Sequence, residues 1–400
     1  MEFCTRVSNQ LMLNMIEQGK EENIVTSPLS INVVLNMVAA GAKGGALNHM
    51  LRMLGSKNVD QINSESSKML ALASGAKEED GPVAEGGVPS NNAKDGPTVA
   101  MVNGIWVDER FPLAPSYAEL VRGVYKCEAK TVDIFHKATE VESEINSWTN
   151  AASRGLIKKI LQRGSLKRDT AIVLANGLYF KGLWKSKYKF DARRTEERIF
   201  YLSNGNTVRA PFMTSRKEYN YGSFDGFKVL SIPYQGGNIR KDLSMYFFLP
   251  NEKDGLKNLV GKFSKNPLFL HKNLKLKKVP LETFWIPKFK FTFEYDVGKV
   301  MNDAGAPLTF LQTPKDWADM MHIPEGVPFM IPTLIQKACV EVDEKGTEAA
   351  AITSFGIELA CRAPPKVEGF VADHPFMFVI KEETSGLILF TGAVLNPNSN

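Results

Sequence analysis

The sequence predicts an α+β fold. Helical periodicity crowds the first half, strand-like segments crowd the second half from Asp169 onward, and no linker composition separates the two. One segment stands apart from both. From Thr347 to Leu359 every second residue (Thr347, Ala349, Ala351, Thr353, Phe355, Ile357, Leu359) is small or apolar, and the interleaved set from Glu348 to Glu358 is more polar. That is the period of a strand with one buried face. Yet Ala360-Cys361-Arg362-Ala363-Pro364-Pro365-Lys366 follows at once, a loop composition. A segment patterned as a strand but placed as a loop is a candidate conformational switch.

Taken in order, Ser27-Pro28 reads as an N-cap and first helical position, with Ile31, Val34, Leu35 and Val38 at helical spacing and Gly41 able to end the helix. Residues 74–97 are rich in Gly, Pro, Asn and charge and read as a flexible insert. Glu142 to Arg163 carries a second helical pattern through Ile145, Trp148, Leu156 and Ile160. Ala171 to Phe180 is a nearly continuous apolar run, as in a strand covered on both faces. Further strands are expected at 199–202, 228–233, 244–249, 283–293, 340–342, 376–380 and 387–395. The basic run Lys272 to Lys278 reads as an exposed loop or sheet edge. A single domain over 1–400 is expected.

Composition excludes several classes. The chain has 400 residues, 44% hydrophobic and 23% charged, as in ordinary globular proteins; 49 basic against 44 acidic residues leave +5, with no arginine block or aromatic-interleaved basic patch for nucleic acid. No signal peptide or membrane-length run is seen, so a cytoplasmic setting is the default, with export to the extracellular space by an unconventional route as the alternative. Cys4, Cys127, Cys339 and Cys361 form neither a disulfide framework nor a zinc pattern, and no metal or organic cofactor is expected. No catalytic motif is present either. Gly222-Ser223-Phe224-Asp225-Gly226 has its serine out of place for a nucleophile elbow, and Gly41-Ala42-Lys43-Gly44-Gly45 follows a helix, where a phosphate loop follows a strand. His374, beside Pro375 and Phe376, reads as a packed structural histidine.

The run Glu344-Lys345-Gly346-Thr347-Glu348-Ala349-Ala350-Ala351-Ile352-Thr353 resembles the hinge of the serpins, the serine-protease inhibitors with a mobile reactive loop. Other matching motifs follow the family's order: Ser27-Pro28-Leu29-Ser30-Ile31, Asn176-Gly177-Leu178-Tyr179-Phe180-Lys181-Gly182 with Trp184, Ala210-Pro211-Phe212-Met213, Met245 to Pro250, Ile286 to Phe291, Asp373-His374-Pro375-Phe376 and Asn396-Pro397. Phe370 to Phe376 is most similar to plant serpins.

The resemblance implies three sheets wrapped by eight or nine helices, with hinge and reactive-centre loop spanning 344–371. It implies a suicide substrate: a target protease attacks the loop, and the freed loop enters a sheet as a new strand, as is known of the family. Thr347, Ala349, Ala351 and Thr353 are then the inward, small residues; Ile352 is bulkier than usual but faces outward. The reactive bond falls after Ala360, before Cys361, with Leu359 as the preceding subsite; Arg362 is the alternative. Ala360 implies an elastase-like target and Arg362 a trypsin-like one, and a papain-like cysteine protease or metacaspase also forms the required acyl-enzyme. Cys361, if exposed, makes inhibition redox-sensitive. Ser27, Ser30 and Asn176 match the polar shutter beneath the sheet, and Trp184 the breach at its top. Gln336 departs from the family's histidine, and the short N-terminus implies a truncated first helix. The expected state is a monomer prone to loop-sheet polymerisation. The alternative function is a serpin that is cleaved without trapping and acts as a binding or carrier protein.

Overall fold

The computed structural model describes residues 1–74, 97–153, 155–236, 242–272, 274–306, 314–317, 319–324, 333–346 and 369–399. Nine α-helices and sixteen strands in three sheets occur among these residues. The expected insert lies outside them between 75 and 96, as does the loop from 347 to 368.

Helix α1 (Glu2–Glu17) is 16 residues long and buries Cys4, Val7, Leu11 and Met12, a four-turn amphipathic helix. Strand β1 (Ile24–Thr26) leads into α2 (Pro28–Gly41), whose Ser27 cap is extended and accepts a hydrogen bond from Ser30 N at 3.0 Å. Helix α2 is buried on almost every side, Asn32 and Asn36 included, and forms the centre of the molecule.

The second expected helix is displaced. Helix α6 runs Ile134–Ala152, starting on the Asp133 cap and stopping before Leu156 and Ile160. Gly155 adopts φ +82°, and beyond it the Asn146 side chain replaces helical bonding. Its Oδ1 accepts from Ile160 N (2.8 Å) and Leu161 N (2.9 Å), and its Nδ2 donates to Leu161 O (3.0 Å). Apolar spacing therefore continues past the helix because an irregular stretch packs its Ile157, Ile160 and Leu161 on the same sheet face.

That sheet has five strands: β2 (Thr98–Asp108), β3 (Cys127–Val132), β4 (Ile172–Lys181), β12 (Phe289–Asp296) and β13 (Thr333–Val342), in the order β12-β13-β4-β2-β3. Strand β4 is buried throughout Ile172–Phe180, as its apolar run predicts. Strand β13 is parallel to β4 and β3 to β2, whereas β12 is antiparallel to β13 and β2 to β4. The expected strand 283–293 divides at Lys288 into β11 (Phe284–Pro287), in a four-stranded sheet, and β12. The expected strand 340–342 is the end of β13. The remaining expected strands fall within β5 (Glu196–Tyr201), β8 (Phe227–Pro233), β9 (Leu243–Pro250), β15 (Phe376–Glu382) and β16 (Ile388–Val394), apart from a terminal residue or two. Of the basic run, Lys277 and Lys278 open β10 (Lys277–Pro280), an edge strand of the seven-stranded sheet, so the edge reading holds.

Candidate functional site: a polar rung and a sheet-end hinge

Strand register brings distant polar residues onto one rung. Gln336 pairs with Asn176 across β13 and β4, Asn176 with Asn103 across β4 and β2, and Tyr295 with Gln336 across β12 and β13. Gln336 Nε2 lies 3.2 Å from Asn176 Oδ1 and 3.5 Å from Ser27 O; Asn176 Nδ2 donates to Asn103 Oδ1 at 2.7 Å, and Asn103 Nδ2 to Tyr125 O at 2.9 Å. Tyr295 bonds to Thr26, one residue before the Ser27 cap, and burial raises the Tyr295 pKa. Ser27, Ser30, Asn176 and Gln336 are fully buried. The chain of bonds therefore ties α2 to the seam between β4 and β13. Gln336 Oε1 and Ser30 Oγ are buried without a partner, so the rung is not fully satisfied.

The second constellation lies at the C-terminal ends of β4 and β13. Their parallel pairing stops at Tyr179 and Cys339. Continued register would set Leu183 opposite Asp343; instead Leu183 bridges Gly346, three residues further on. The surplus forms a turn. Asp343 Oδ1 accepts from Lys345 N (2.8 Å) and Gly346 N (3.1 Å), while Asp343 N donates to Gly346 O (2.8 Å). Gly346 adopts φ +136°, and a Cβ there would lie 2.6 Å from both Leu183 Cα and Trp184 N. Only glycine meets both demands.

Trp184 fastens this turn. It is fully buried and stacks on Tyr234 with centroids 4.6 Å apart; its Nε1 donates to Asp343 O at 3.0 Å and its backbone N to Lys345 O at 2.8 Å. Glu344 adds a clasp: its carboxylate accepts from Thr195 Oγ1 (2.7 Å) and pairs with Lys288 Nζ (2.9 Å), and its carbonyl accepts from Phe190 N (2.9 Å). Burial pushes the Glu344 carboxyl up, but the Thr195 and Lys288 contacts outweigh it and hold the group below its ordinary value. Next to it, burial raises Asp343.

His374 is buried with Nε2 2.9 Å from Pro250 O and Nδ1 2.8 Å from Asp373, a packed histidine as expected. One set with metal-ligand chemistry occurs among the described residues, Glu109, Asp133 and His136 within 4.8 Å of one another. Asp133 is already engaged there as the α6 cap, accepting from His136 N. Among the described residues no helix is long and apolar enough to cross a membrane.

A profile of the family described as Serpin (serine protease inhibitor) matches residues 2–397. The chain belongs to the serpin family. It is 37% identical to Serpin-ZX of Arabidopsis thaliana over 98% of this chain and 97% of that protein, and 36% identical to Serpin-Z1C of Triticum aestivum over 99% and 94%. Its structure is similar to that of Arabidopsis AtSerpin1 in the native stressed conformation, with TM-score 0.85 and 36% identity over 99% of this chain and 97% of that one. Uncleaved ovalbumin, 22% identical, shares the fold with TM-score 0.78 over 99% and 98%. The serpin is thus a protease inhibitor by class, not a catalyst, with three sheets as expected.

Of the serpin residues singled out in the sequence, Ser27, Asn176 and Gln336 meet on the rung with Ser30 beside them, and Trp184, Glu344 and Gly346 meet at the sheet end. Thr347, Glu348, Ala349, Ala350, Ala351, Thr353, Leu359, Ala360, Cys361 and Arg362 lie outside the described residues. Sequence reading missed Asn103, which arrives through strand pairing within the sheet, and Thr195, Tyr234 and Lys288, which reach the hinge from elsewhere in the chain. Its one available signal was Lys288, which directly follows Pro287 where the chain changes sheets.

Proposed function

We propose that this serpin inhibits a serine endopeptidase as a suicide substrate. The observation that carries the reading is the upper end of the five-stranded sheet. There β4 and β13 are parallel neighbours whose pairing stops early, and the chain entering the alternating 347–359 segment turns there on Gly346. In this reading the protease nucleophile adds to the carbonyl carbon of Ala360. The amide bond to Cys361 breaks, the amine leaves on Cys361 with a proton, and Ala360 remains as an acyl-enzyme. The freed segment enters between β4 and β13, exchanging one set of ladder hydrogen bonds for two while Thr347, Ala349, Ala351 and Thr353 turn inward. The dragged protease is distorted before water can cleave the ester. Gln336, Asn176, Ser27 and Ser30 act as the shutter and Trp184 as the breach, and no metal or organic cofactor takes part.

Leu359 and Ala360 suit an elastase-like pocket, and a bond after Arg362 instead suits a trypsin-like one. A papain-like protease or metacaspase extends the class, since each forms an acyl-enzyme. The test mixes the serpin with elastase-like, trypsin-like and papain-like proteases and follows denaturing gels with mass spectrometry of the released peptide. A boiling-resistant complex is expected, with Thr347→Arg converting inhibitor to substrate by forcing a charge into the sheet interior. Cleavage without complex for every protease would establish the carrier-type alternative, and undiminished trapping by Thr347→Arg would refute insertion.

A further inference from the structure

A cleft of about 800 Å³ opens between two walls on one face of the five-stranded sheet. One wall is α6 with the irregular stretch behind it, seated on β2 and β4 through Ile145, Ile160 and Leu161 against Trp106, Val173 and Ala175. The other is the outer pair of strands, which contributes Glu294 from β12 and Lys337 from β13. The seam between β4 and β13 runs beneath the cleft.

Its charge is unbalanced. Lys158, Lys159, Arg163 and Lys337 line it against only Glu142 and Glu294. Both carboxylates are engaged: Glu142 is buried and accepts from Gly164 N at 2.7 Å, and Glu294 pairs with Lys337 at 3.2 Å. Lys158, Lys159 and Arg163 form no ion pair among the described residues. Cations converging in a recess focus a positive potential more strongly than the same charges on a flat surface. Hydroxyls and amides of Ser147, Asn150 and Gln162 supply further donors.

We propose that this cleft binds a small polyanion carrying several phosphate groups, and that the bound polyanion braces the sheet by spanning both walls. Admission of a strand would move the walls apart by about 4.8 Å. A ligand contacting Lys158 and Lys159 on one side and Lys337 on the other therefore favours the unwidened sheet, and by linkage opposes widening. The bracing half rests on the proposed insertion mechanism; the binding half does not.

The probe is inositol hexakisphosphate, titrated calorimetrically against the full-length serpin at two salt concentrations. Binding is expected, weakening with salt and falling at least tenfold in Lys158→Glu/Lys159→Glu. Both residues are exposed, so the fold is expected to survive, with near-ultraviolet dichroism as the check. Lys275→Glu/Lys277→Glu, in the other basic run, is the control and leaves binding unchanged. Absence of binding, or equal loss in both double variants, overturns the site. Bracing is read by hydrogen exchange of the β13 amides, which needs no protease: saturating probe is expected to slow exchange there at least fivefold, and unchanged exchange overturns the brace. Failure of trapping without ligand would refute the suicide-substrate reading alone, leaving both measurements interpretable.

Discussion

Gly346→Ala isolates what the hinge turn contributes. An alanine at φ +136° sits in a sparsely populated region, costing about 1–3 kcal/mol. Its methyl group would also meet backbone at Gly182, Leu183 and Trp184, none of which is the flexible end of a side chain, adding about 1–3 kcal/mol of overpacking. The alternative to bearing roughly 2–6 kcal/mol of strain is to release the turn. Release forfeits the bonds from Trp184 N to Lys345 O, Trp184 Nε1 to Asp343 O and Phe190 N to Glu344 O, each worth about 1 kcal/mol. The two amounts are comparable, so the turn should open locally while the rest of the fold holds. Hydrogen exchange reads this directly: protection of the Trp184 and Phe190 amides should fall by at least about 30-fold, with the β15 and β16 amides unchanged. Under the proposed mechanism the released hinge also speeds trapping. Wild-type protection at Trp184 and Phe190 in a folded variant would refute the claim that Gly346 holds the turn.

Other perturbations probe the neighbouring contacts. Glu344→Gln removes the Lys288 ion pair, and because the Glu344 pKa lies below its ordinary value, the stability it supplies is full above the unfolded pKa near about 4.3 and lost as pH falls through the folded value. The melting-temperature gap between wild type and variant should therefore be constant at neutral pH and close in acid. Asn176→Leu leaves Asn103 Oδ1 without its donor and Gln336 Nε2 with only the 3.5 Å contact to Ser27 O, and should lower unfolding free energy by about 2–5 kcal/mol in guanidinium titrations. Mild heating should give loop-linked polymers on native gels, and a ladder-free gel would count against an insertable strand.

Much of the fold was legible because its signals are local. The Ser27-Pro28 cap, the doubly buried run of β4 and the strand character after Asp169 all follow from neighbouring residues. The failures have physical causes. Strand β2 carries Asn103-Gly104 in mid-strand, a pair that is no strand signal by itself: Gly104 is there because the Trp106 ring occupies the space of its Cβ, and Asn103 because the rung needs it. Helix α6 was misplaced because Leu156 and Ile160 keep a helical spacing that Gly155 interrupts. Strand 283–293 was read as one because the alternation of Phe289, Phe291 and Phe293 runs on past Pro287, the local mark of the change of sheet at Lys288.

Register is the part of the site that no single segment encodes. Asn103, Asn176 and Gln336 share a rung only because three strands align, and a one-residue slip would turn each to the opposite face. The same register separates two tasks. The rung crosses the seam with one side-chain hydrogen bond, Gln336 to Asn176; its other bonds join Asn176 to Asn103 across β4 and β2 and tie the sheet to the α2 cap and Tyr125. At the sheet end, by contrast, no ladder pairing between β4 and β13 remains beyond Tyr179 and Cys339 among the described residues, so under the proposed mechanism the first residues of an entering strand would meet only the hinge contacts. Those comprise three hydrogen bonds, the Glu344 clasp and the stacked Trp184. Below that point, in the same mechanism, each broken β4–β13 bond would be replaced by two. Under the proposed insertion mechanism the barrier therefore sits at the hinge and the rung chiefly sets stability, so in that mechanism Gly346→Ala should change the trapping rate more than the unfolding free energy, and Asn176→Leu the reverse.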